Sequence, residues 1–187
     1  MSDVAGAIAA AIRRRAGGEK LKVGVFYRGD PESLRAVLAL GHHTIVAGDS
    51  FRALWRAARR IGVPKSHSFR LVEARFDALP FRPGGLDALV LLRGLPRGAA
   101  YEPTIARLKE LLAPGGVVIV PHPVTDGRRG RLTRLLRAPF FRTLPPLARH
   151  ALCRGAMAVG YRDVGQVVPA GRAVIPWIVT FGAAGRR

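Results

Sequence analysis

Apolar residues recur along the chain at two spacings, one typical of helices and the other of buried strands. In residues 3–15, Val4, Ile8 and Ile12 stand four positions apart, which predicts a helix with one apolar face. Residues 21–27 form an almost uninterrupted apolar run, which predicts a strand buried on both faces. A helix next to a strand of this kind is typical of an α/β fold.

The alternation of helices and strands continues to the end of the chain. Further helices are predicted over 31–40, 51–61, 101–113 and, with breaks at prolines, 128–159. Further strands are predicted over 43–48, 68–74, 86–92, 117–120, 161–168 and 173–181. Together these elements predict an α/β fold with a doubly wound, mostly parallel, seven-stranded Rossmann-like sheet. Because there is no internal repeat and no long linker, residues 1–187 are interpreted as a single domain that includes the N-terminal helix 3–15 and the basic helical segment 128–159.

Positive charge is the strongest signal in the composition. The 187 residues include 31 Lys plus Arg against 12 Asp plus Glu, which gives a formal net charge of +19. This balance favours a polyanionic partner, most of all nucleic acid, with an acidic protein or anionic lipid as other choices. A basic surface without a specific partner is the alternative.

Cysteine content and hydropathy narrow the class of protein. The single cysteine, Cys153, excludes an internal disulfide and a multi-cysteine metal site, and it suits a reducing compartment. The histidines lack a metal-ligand spacing, so no metal is expected. No apolar run approaches the roughly 18 residues of a membrane span. The N-terminus lacks a cleavage pattern, so a cytoplasmic location is expected.

Two segments concentrate the arginines. Residues 128–154 contain eight arginines and no acid, with leucines between them, which predicts a helix with a basic stripe and an apolar stripe. The predicted helix 51–61 is also basic along one side. Guanidinium groups bind phosphates as planar forks. The residues assigned to polyanion binding are Arg52, Arg56, Arg59, Arg60, Arg128, Arg129, Arg131, Arg134 and Arg137.

Several motifs follow one another in the order and spacing of a known family. Residues 76–81 (FDALPF) precede 86–90 (LDALV), residues 108–120 read LKELLAPGGVVIV, and 160–165 (GYRDVG) precede 174–181 (VIPWIVTF). Together they resemble the class I S-adenosylmethionine-dependent methyltransferases over roughly residues 20–182. The resemblance implies a methyltransferase-like, Rossmann-like sheet whose last strand runs antiparallel to the others.

The same resemblance implies three cofactor-binding residues. Gly29 lies in the loop after the first predicted strand, where glycine lets the backbone approach a cofactor closely. Asp49 follows the second predicted strand, where an acid accepts hydrogen bonds from ribose hydroxyls. Capping the next helix is a compatible role for Asp49. Asp77 stands where the family contacts the adenine amine, and a purely structural role in the turn before Pro80 is the alternative.

The glycine-rich motif of the family is incomplete in this chain. An ungapped alignment places the acid of that motif at Val25 and its three glycines at Tyr27, Gly29 and Pro31, so that one glycine remains. This departure favours the absence of a cofactor over the binding of S-adenosylmethionine. No catalytic residue is assigned. His122, after the fifth predicted strand, is a candidate base, with a polar loop residue as the alternative.

Three functional hypotheses remain open. The first is a divergent or non-catalytic methyltransferase-fold protein that binds a polyanion, most likely nucleic acid, through its arginine-rich surface. The second is an active S-adenosylmethionine-dependent methyltransferase that acts on a small or anionic substrate. The third is a protein-interaction module, because a fold of this kind does not by itself determine function.

Overall fold

A computed structural model describes residues 3–62, 68–92, 101–122, 157–158, 161–167 and 177–183. The helices are α1 (Asp3–Ala16), α2 (Pro31–Leu38), α3 (Phe51–Ile61) and α4 (Tyr101–Glu110). The strands are β1 (Lys22–Phe26), β2 (His43–Gly48), β3 (Phe69–Glu73), β4 (Leu86–Leu91), β5 (Leu112–His122), β6 (Tyr161–Val167) and β7 (Trp177–Ala183). A 3₁₀ turn spans Phe76–Ala78. These bounds confirm the predicted alternation of helices and strands in the described part of the chain.

The strands form a sheet in the order β3-β2-β1-β4-β5-β7-β6. The first five strands in this order run parallel to one another, whereas β7 runs antiparallel to both β5 and β6. The parallel α/β part of the sheet therefore comprises five strands rather than seven. The doubly wound, Rossmann-like architecture predicted from the sequence is confirmed, including an antiparallel last strand.

Side chains along β1 alternate between two core clusters, one on each face of the sheet. Val23 and Val25 are fully buried in a cluster with apolar residues of α1, α2 and α3, and Phe26 is fully buried in a second cluster with residues of α4. Successive strand side chains point to opposite faces, so helices cover both sides of the sheet. Tyr161 joins β6 to the second cluster, since its buried hydroxyl donates a hydrogen bond of 3.1 Å to the Ile105 carbonyl. That burial raises the pKa of Tyr161.

The segment Pro114-Gly115-Gly116 lies inside β5, whereas the sequence predicts a turn followed by a strand over 117–120. Leu86 of β4 pairs with Leu112, and Ala88 pairs with Val117, so the register shifts across this segment. Gly115 has a φ of 75°, which favours glycine, and it produces the irregularity without ending the strand.

The basic segment predicted over 128–159 lies outside the described residues except for 157–158, which are helical. Cys153 also falls outside them. Within the described part of the chain, no helix is long and apolar enough to cross a membrane.

Candidate functional site

A cleft of about 630 Å³ opens where β1 and β2 end. Its size is typical of ligand sites, and the carboxyl ends of parallel strands are where ligands bind in open α/β sheets. The loop after β1 contributes Tyr27, Arg28, Gly29 and Pro31, the end of β2 contributes Gly48, Asp49 and Ser50, and α3 contributes Ala53, Leu54, Arg56, Ala57 and Arg60. The sequence-predicted residues Gly29 and Asp49 therefore line one cleft.

The loop after β1 has the conformation of a tight, glycine-dependent turn. Gly29 has a φ of 86°, in the left-handed region that side chains disfavour. Asp30 follows, and its carboxylate accepts a hydrogen bond of 3.2 Å from the Ser33 amide at the start of α2. Pro31 occupies the first turn of that helix, where its missing N–H leaves no hydrogen bond unmade. The loop thus keeps one glycine at the position where the chain reverses.

Gly48 makes the floor of the cleft, a role that the sequence analysis missed. A Cβ on Gly48 would lie 3.0 Å from the Tyr27 carbonyl oxygen and 3.1 Å from Leu54 Cδ2. The Tyr27 amide donates a hydrogen bond of 2.7 Å to the Ala47 carbonyl, which holds the two strand ends together. A side chain at this position would therefore crowd both neighbours, and one of them would have to move by a few tenths of an ångström. A glycine directly before Asp49 was the available signal.

Asp49 is not the cap of α3. The N-cap is Ser50, whose hydroxyl accepts a hydrogen bond of 3.4 Å from the Ala53 amide. Glu73, at the end of β3, accepts a bond of 3.2 Å from the Phe51 amide. Glu73 thus satisfies an amide at the helix start, and Ser50 accepts a second bond from the Ala53 amide, which also donates to the Ser50 carbonyl at 3.1 Å. Among the described residues, no hydrogen-bond donor contacts the exposed Asp49 carboxylate, which faces the cleft.

Asp77 is held by its neighbour Arg75 on the 3₁₀ turn. Arg75 Nε donates to one carboxylate oxygen at 2.9 Å and Nη2 to the other at 2.6 Å, a bidentate pair. The hydrogen bond from Arg75 lowers the pKa of Asp77, and the same bond raises the pKa of Arg75, with a smaller contribution from the negative charge of Asp49. Asp77 is not among the described residues that line the cleft.

The four arginines assigned on the 51–61 helix, Arg52, Arg56, Arg59 and Arg60, are all exposed on α3. Arg56 and Arg60 line the cleft together with Arg28. Within the described part of the chain, no carboxylate forms an ion pair with any of these three. These three arginines therefore give the cleft a positive wall. The remaining assigned arginines, Arg128, Arg129, Arg131, Arg134 and Arg137, lie outside the described residues.

Two core residues, Val25 and Tyr27, stand at the positions of the acid and the first glycine of the family motif. Val25 is fully buried and pairs with Val46 and Val90 in the neighbouring strands. Tyr27 is 9% exposed and belongs to the core cluster on the side of α1, α2 and α3. His122 ends β5, but its side chain lies outside the described set. The described residues contain no group of three potential metal ligands.

Comparison with known proteins supports a methyltransferase-like fold. No protein-family model matches the chain. A demethylmenaquinone methyltransferase of Thermus thermophilus is 33% identical over 102 residues, which cover 54% of this chain and 46% of that protein. The structure of a magnesium protoporphyrin IX methyltransferase from Synechocystis, with bound S-adenosylhomocysteine, superposes with a TM-score of 0.72 at 11% identity, over 96% of this chain and 82% of the other. The chain therefore has a fold like that of S-adenosylmethionine-dependent methyltransferases.

A second solved structure adds to this likeness. The 1,6-didemethyltoxoflavin-N1-methyltransferase of Burkholderia thailandensis, with bound 1,6-didemethyltoxoflavin and S-adenosylhomocysteine, superposes with a TM-score of 0.65 at 18% identity, covering 95% of this chain and 78% of the other. Identities this low establish the fold alone. The match to the Thermus thermophilus protein spans less than half the length of that relative.

Proposed function

We propose that this chain binds S-adenosylmethionine and its product S-adenosylhomocysteine in the cleft at the ends of β1 and β2, and acts as a methyltransferase on a small or anionic substrate. The observation that carries the proposal is that Asp49 lines the cleft and is not used to cap a helix. Its carboxylate faces the cleft and takes no part in capping α3, because Ser50 and Glu73 perform that role. An acid at this point of the fold is placed to accept hydrogen bonds from ribose hydroxyls.

The rest of the cleft fits an adenosine-bearing ligand at its ribose end. The turn at Gly29 allows close backbone approach, and Gly48 keeps the floor of the cleft free of side-chain atoms. Two superposable methyltransferases hold S-adenosylhomocysteine, which adds support for this class of ligand. At the other end of the ligand the family pattern is not met, because Val25 is buried in place of an acid.

In the proposed reaction, the residues of this chain bind the cofactor and orient the two reactants. Bound S-adenosylmethionine supplies an electrophilic methyl group. Asp49 would fix the ribose of the cofactor by accepting hydrogen bonds from its hydroxyls. The turn at Gly29 would let the backbone approach the cofactor closely. Holding two reactants in line can account for a large part of a rate enhancement without a catalytic base. The guanidinium groups of Arg28, Arg56 and Arg60 favour an anionic group in or near the cleft, either a ligand carboxylate or an anionic acceptor.

Calorimetric titration with S-adenosylhomocysteine tests this proposal. Asp49→Asn keeps the shape of the side chain but removes its charge, and a hydrogen bond to a charged group is worth about 1.5–3 kcal/mol, so affinity should fall roughly 10- to 100-fold. Glu19→Gln is the matched control, since Glu19 is an exposed acid that does not line the cleft. Equal affinity of wild type and Asp49→Asn would remove Asp49 from the site.

A second candidate function is polyanion binding without methyl transfer, most of all to nucleic acid. The exposed arginines of α3 favour it, as does the net charge of +19. Binding through phosphates should weaken steeply with salt because each neutralised phosphate releases counterions. For the basic segment predicted from the sequence, replacement of Arg128, Arg131 and Arg134 by Ala should weaken the binding of an oligonucleotide. Unchanged affinity would exclude that segment. A folded protein that binds an oligonucleotide but not S-adenosylhomocysteine would favour this second function.

A further inference from the structure

We infer that the exposed face of α3 is a binding surface for single-stranded nucleic acid, in which aromatic rings stack on bases while arginines contact phosphates. The α3 face is defined by Phe51, Arg52, Trp55, Arg56 and Arg59. The inference rests on the polyanion-binding candidate above and makes it specific, because it names the class of nucleic acid and the residues that select it. It does not depend on methyl transfer.

The two aromatic side chains of the α3 face are exposed, and the packing of α3 on the sheet does not account for their presence there. Phe51 is 48% exposed and Trp55 is 53% exposed, and of the described residues only Met157 is another large hydrophobic with comparable exposure. The two rings stand four residues apart, so they are neighbours on one side of the helix. The core-facing side of α3 is already complete, since Leu54, Ala57, Ala58 and Ile61 are buried. About half of each aromatic side chain is therefore left open to a partner.

The charged part of the α3 face adjoins the rings. The helix carries four arginines and no acid. At roughly 100° per residue, the order around the exposed side is Phe51, Trp55, Arg59, Arg52, Arg56 and Arg60. The rings thus lie along one edge, and guanidinium groups extend from there to the cleft that Arg56 and Arg60 line. Rings for bases beside cations for phosphates are the combination that single strands require.

Other occupants of the α3 face fit less well. In a duplex the bases are stacked on one another, so their faces are not available to Phe51 and Trp55. A membrane needs a broad apolar face, but the apolar side of α3 is buried against the sheet. A second copy of the chain carries the same net charge of +19 and is repelled. An acidic peptide satisfies the arginines but has no flat π-faces for the rings.

Fluorescence anisotropy with a labelled oligothymidylate of roughly 12 nucleotides tests the inference. Replacing both Phe51 and Trp55 by Ala should weaken binding by at least roughly 5-fold, since stacking is worth about 1–3 kcal/mol per base. The slope of affinity against salt should stay the same, because no phosphate contact is removed. Met157→Ala is the matched control, an exposed apolar residue at another place in the chain. Trp55→Tyr should retain most of the affinity, since a stacking ring remains.

Three further probes separate the α3 face from a general polyanion surface. A duplex of equal length, polyglutamate and vesicles of anionic phospholipid should each bind more weakly than the single strand and should be insensitive to the loss of the two rings. If the double aromatic variant binds the single strand as tightly as wild type does, while Arg52→Ala with Arg59→Ala weakens every probe, the inference fails and polyanion binding survives. If wild type binds none of the probes, both fail. Circular dichroism of each variant confirms that the fold is intact.

Discussion

At the scale of single residues, Ser33 is a buried polar residue whose hydroxyl is unsatisfied within the described part of the chain. Its side chain is fully buried in α2, and its hydroxyl has no hydrogen-bond partner among the described residues. Ser33→Ala removes this unsatisfied group and introduces a residue with a better helix propensity, so we expect the free energy of unfolding to rise by about 0.5–1 kcal/mol. Urea unfolding measures the change. A loss of stability would mean that the hydroxyl has a partner.

His42 should make stability depend on pH. Its imidazole is buried, and Nδ1 accepts a long hydrogen bond of 3.4 Å from the Leu21 amide. Burial lowers the pKa of His42 in the folded state, helped by the positive charges of His43 and Lys20. The unfolded chain therefore binds a proton more readily than the folded one. The stability that results is fully present above about pH 6.5 and is lost as the pH falls below it.

The variant His42→Asn isolates this contribution. Asparagine can still accept a hydrogen bond from Leu21, but it does not titrate. We expect the unfolding free energy of wild type to fall more than that of His42→Asn when the pH is lowered from about 7.5 to about 5.5. Urea unfolding at a series of pH values measures the difference. Parallel pH profiles for the two proteins would show that another group carries the effect.

At the scale of elements, the start of α3 is fixed from two sides. Ser50 caps the helix from within its own segment, and Glu73 caps it from β3. Loss of an N-cap costs typically about 1 kcal/mol, so Ser50→Ala should lower the unfolding free energy by that amount, and Glu73→Ala by a similar or smaller one. Because the two bonds satisfy different amides, the double variant should be close to additive. Strong non-additivity in urea unfolding would show that both residues serve one interaction.

The irregular segment of β5 depends on Gly116. A Cβ there would lie 2.9 Å from the carbonyl oxygens of both Ala113 and Leu86, which are backbone atoms that cannot move aside cheaply. The adjacent Gly115 carbonyl also accepts a hydrogen bond of 2.7 Å from Arg15, which ties the end of α1 to this strand. We expect Gly116→Ala to destabilise the protein by about 1–3 kcal/mol. A variant as stable as wild type would contradict this close contact.

The sequence predicts the elements well where local chemistry decides them. The bounds of β2 are predicted as 43–48 and found as His43–Gly48, because polar or glycine residues flank a short apolar run. The start of α2 follows from the Asp30-Pro31 pair. The structure of 112–116 is not predictable in this way, because pairing with β4 continues the strand through glycines that locally favour a turn.

At the scale of the whole molecule, Gly29 follows β1 and Asp49 follows β2, and both residues line the cleft at the ends of these two parallel strands. The positive wall was not predictable, because Arg28 meets Arg56 and Arg60 only through the packing of the loop after β1 next to α3. For Gly48, the sequence offers only the sign of a glycine directly before Asp49, since the need for glycine there depends on the Tyr27 carbonyl in the loop after β1. Sequence patterns thus predict which elements form and where their ends meet, whereas the walls of the site come from tertiary packing.

A crystal structure of the protein grown with S-adenosylhomocysteine would locate the cofactor site. We expect the ligand in the cleft at the ends of β1 and β2, with its ribose hydroxyls within about 2.5–2.7 Å of the Asp49 carboxylate oxygens, and the adjoining chain turning at Gly29. A ligand bound elsewhere, or a cleft that stays filled with solvent at saturating ligand, would contradict the proposed cofactor site.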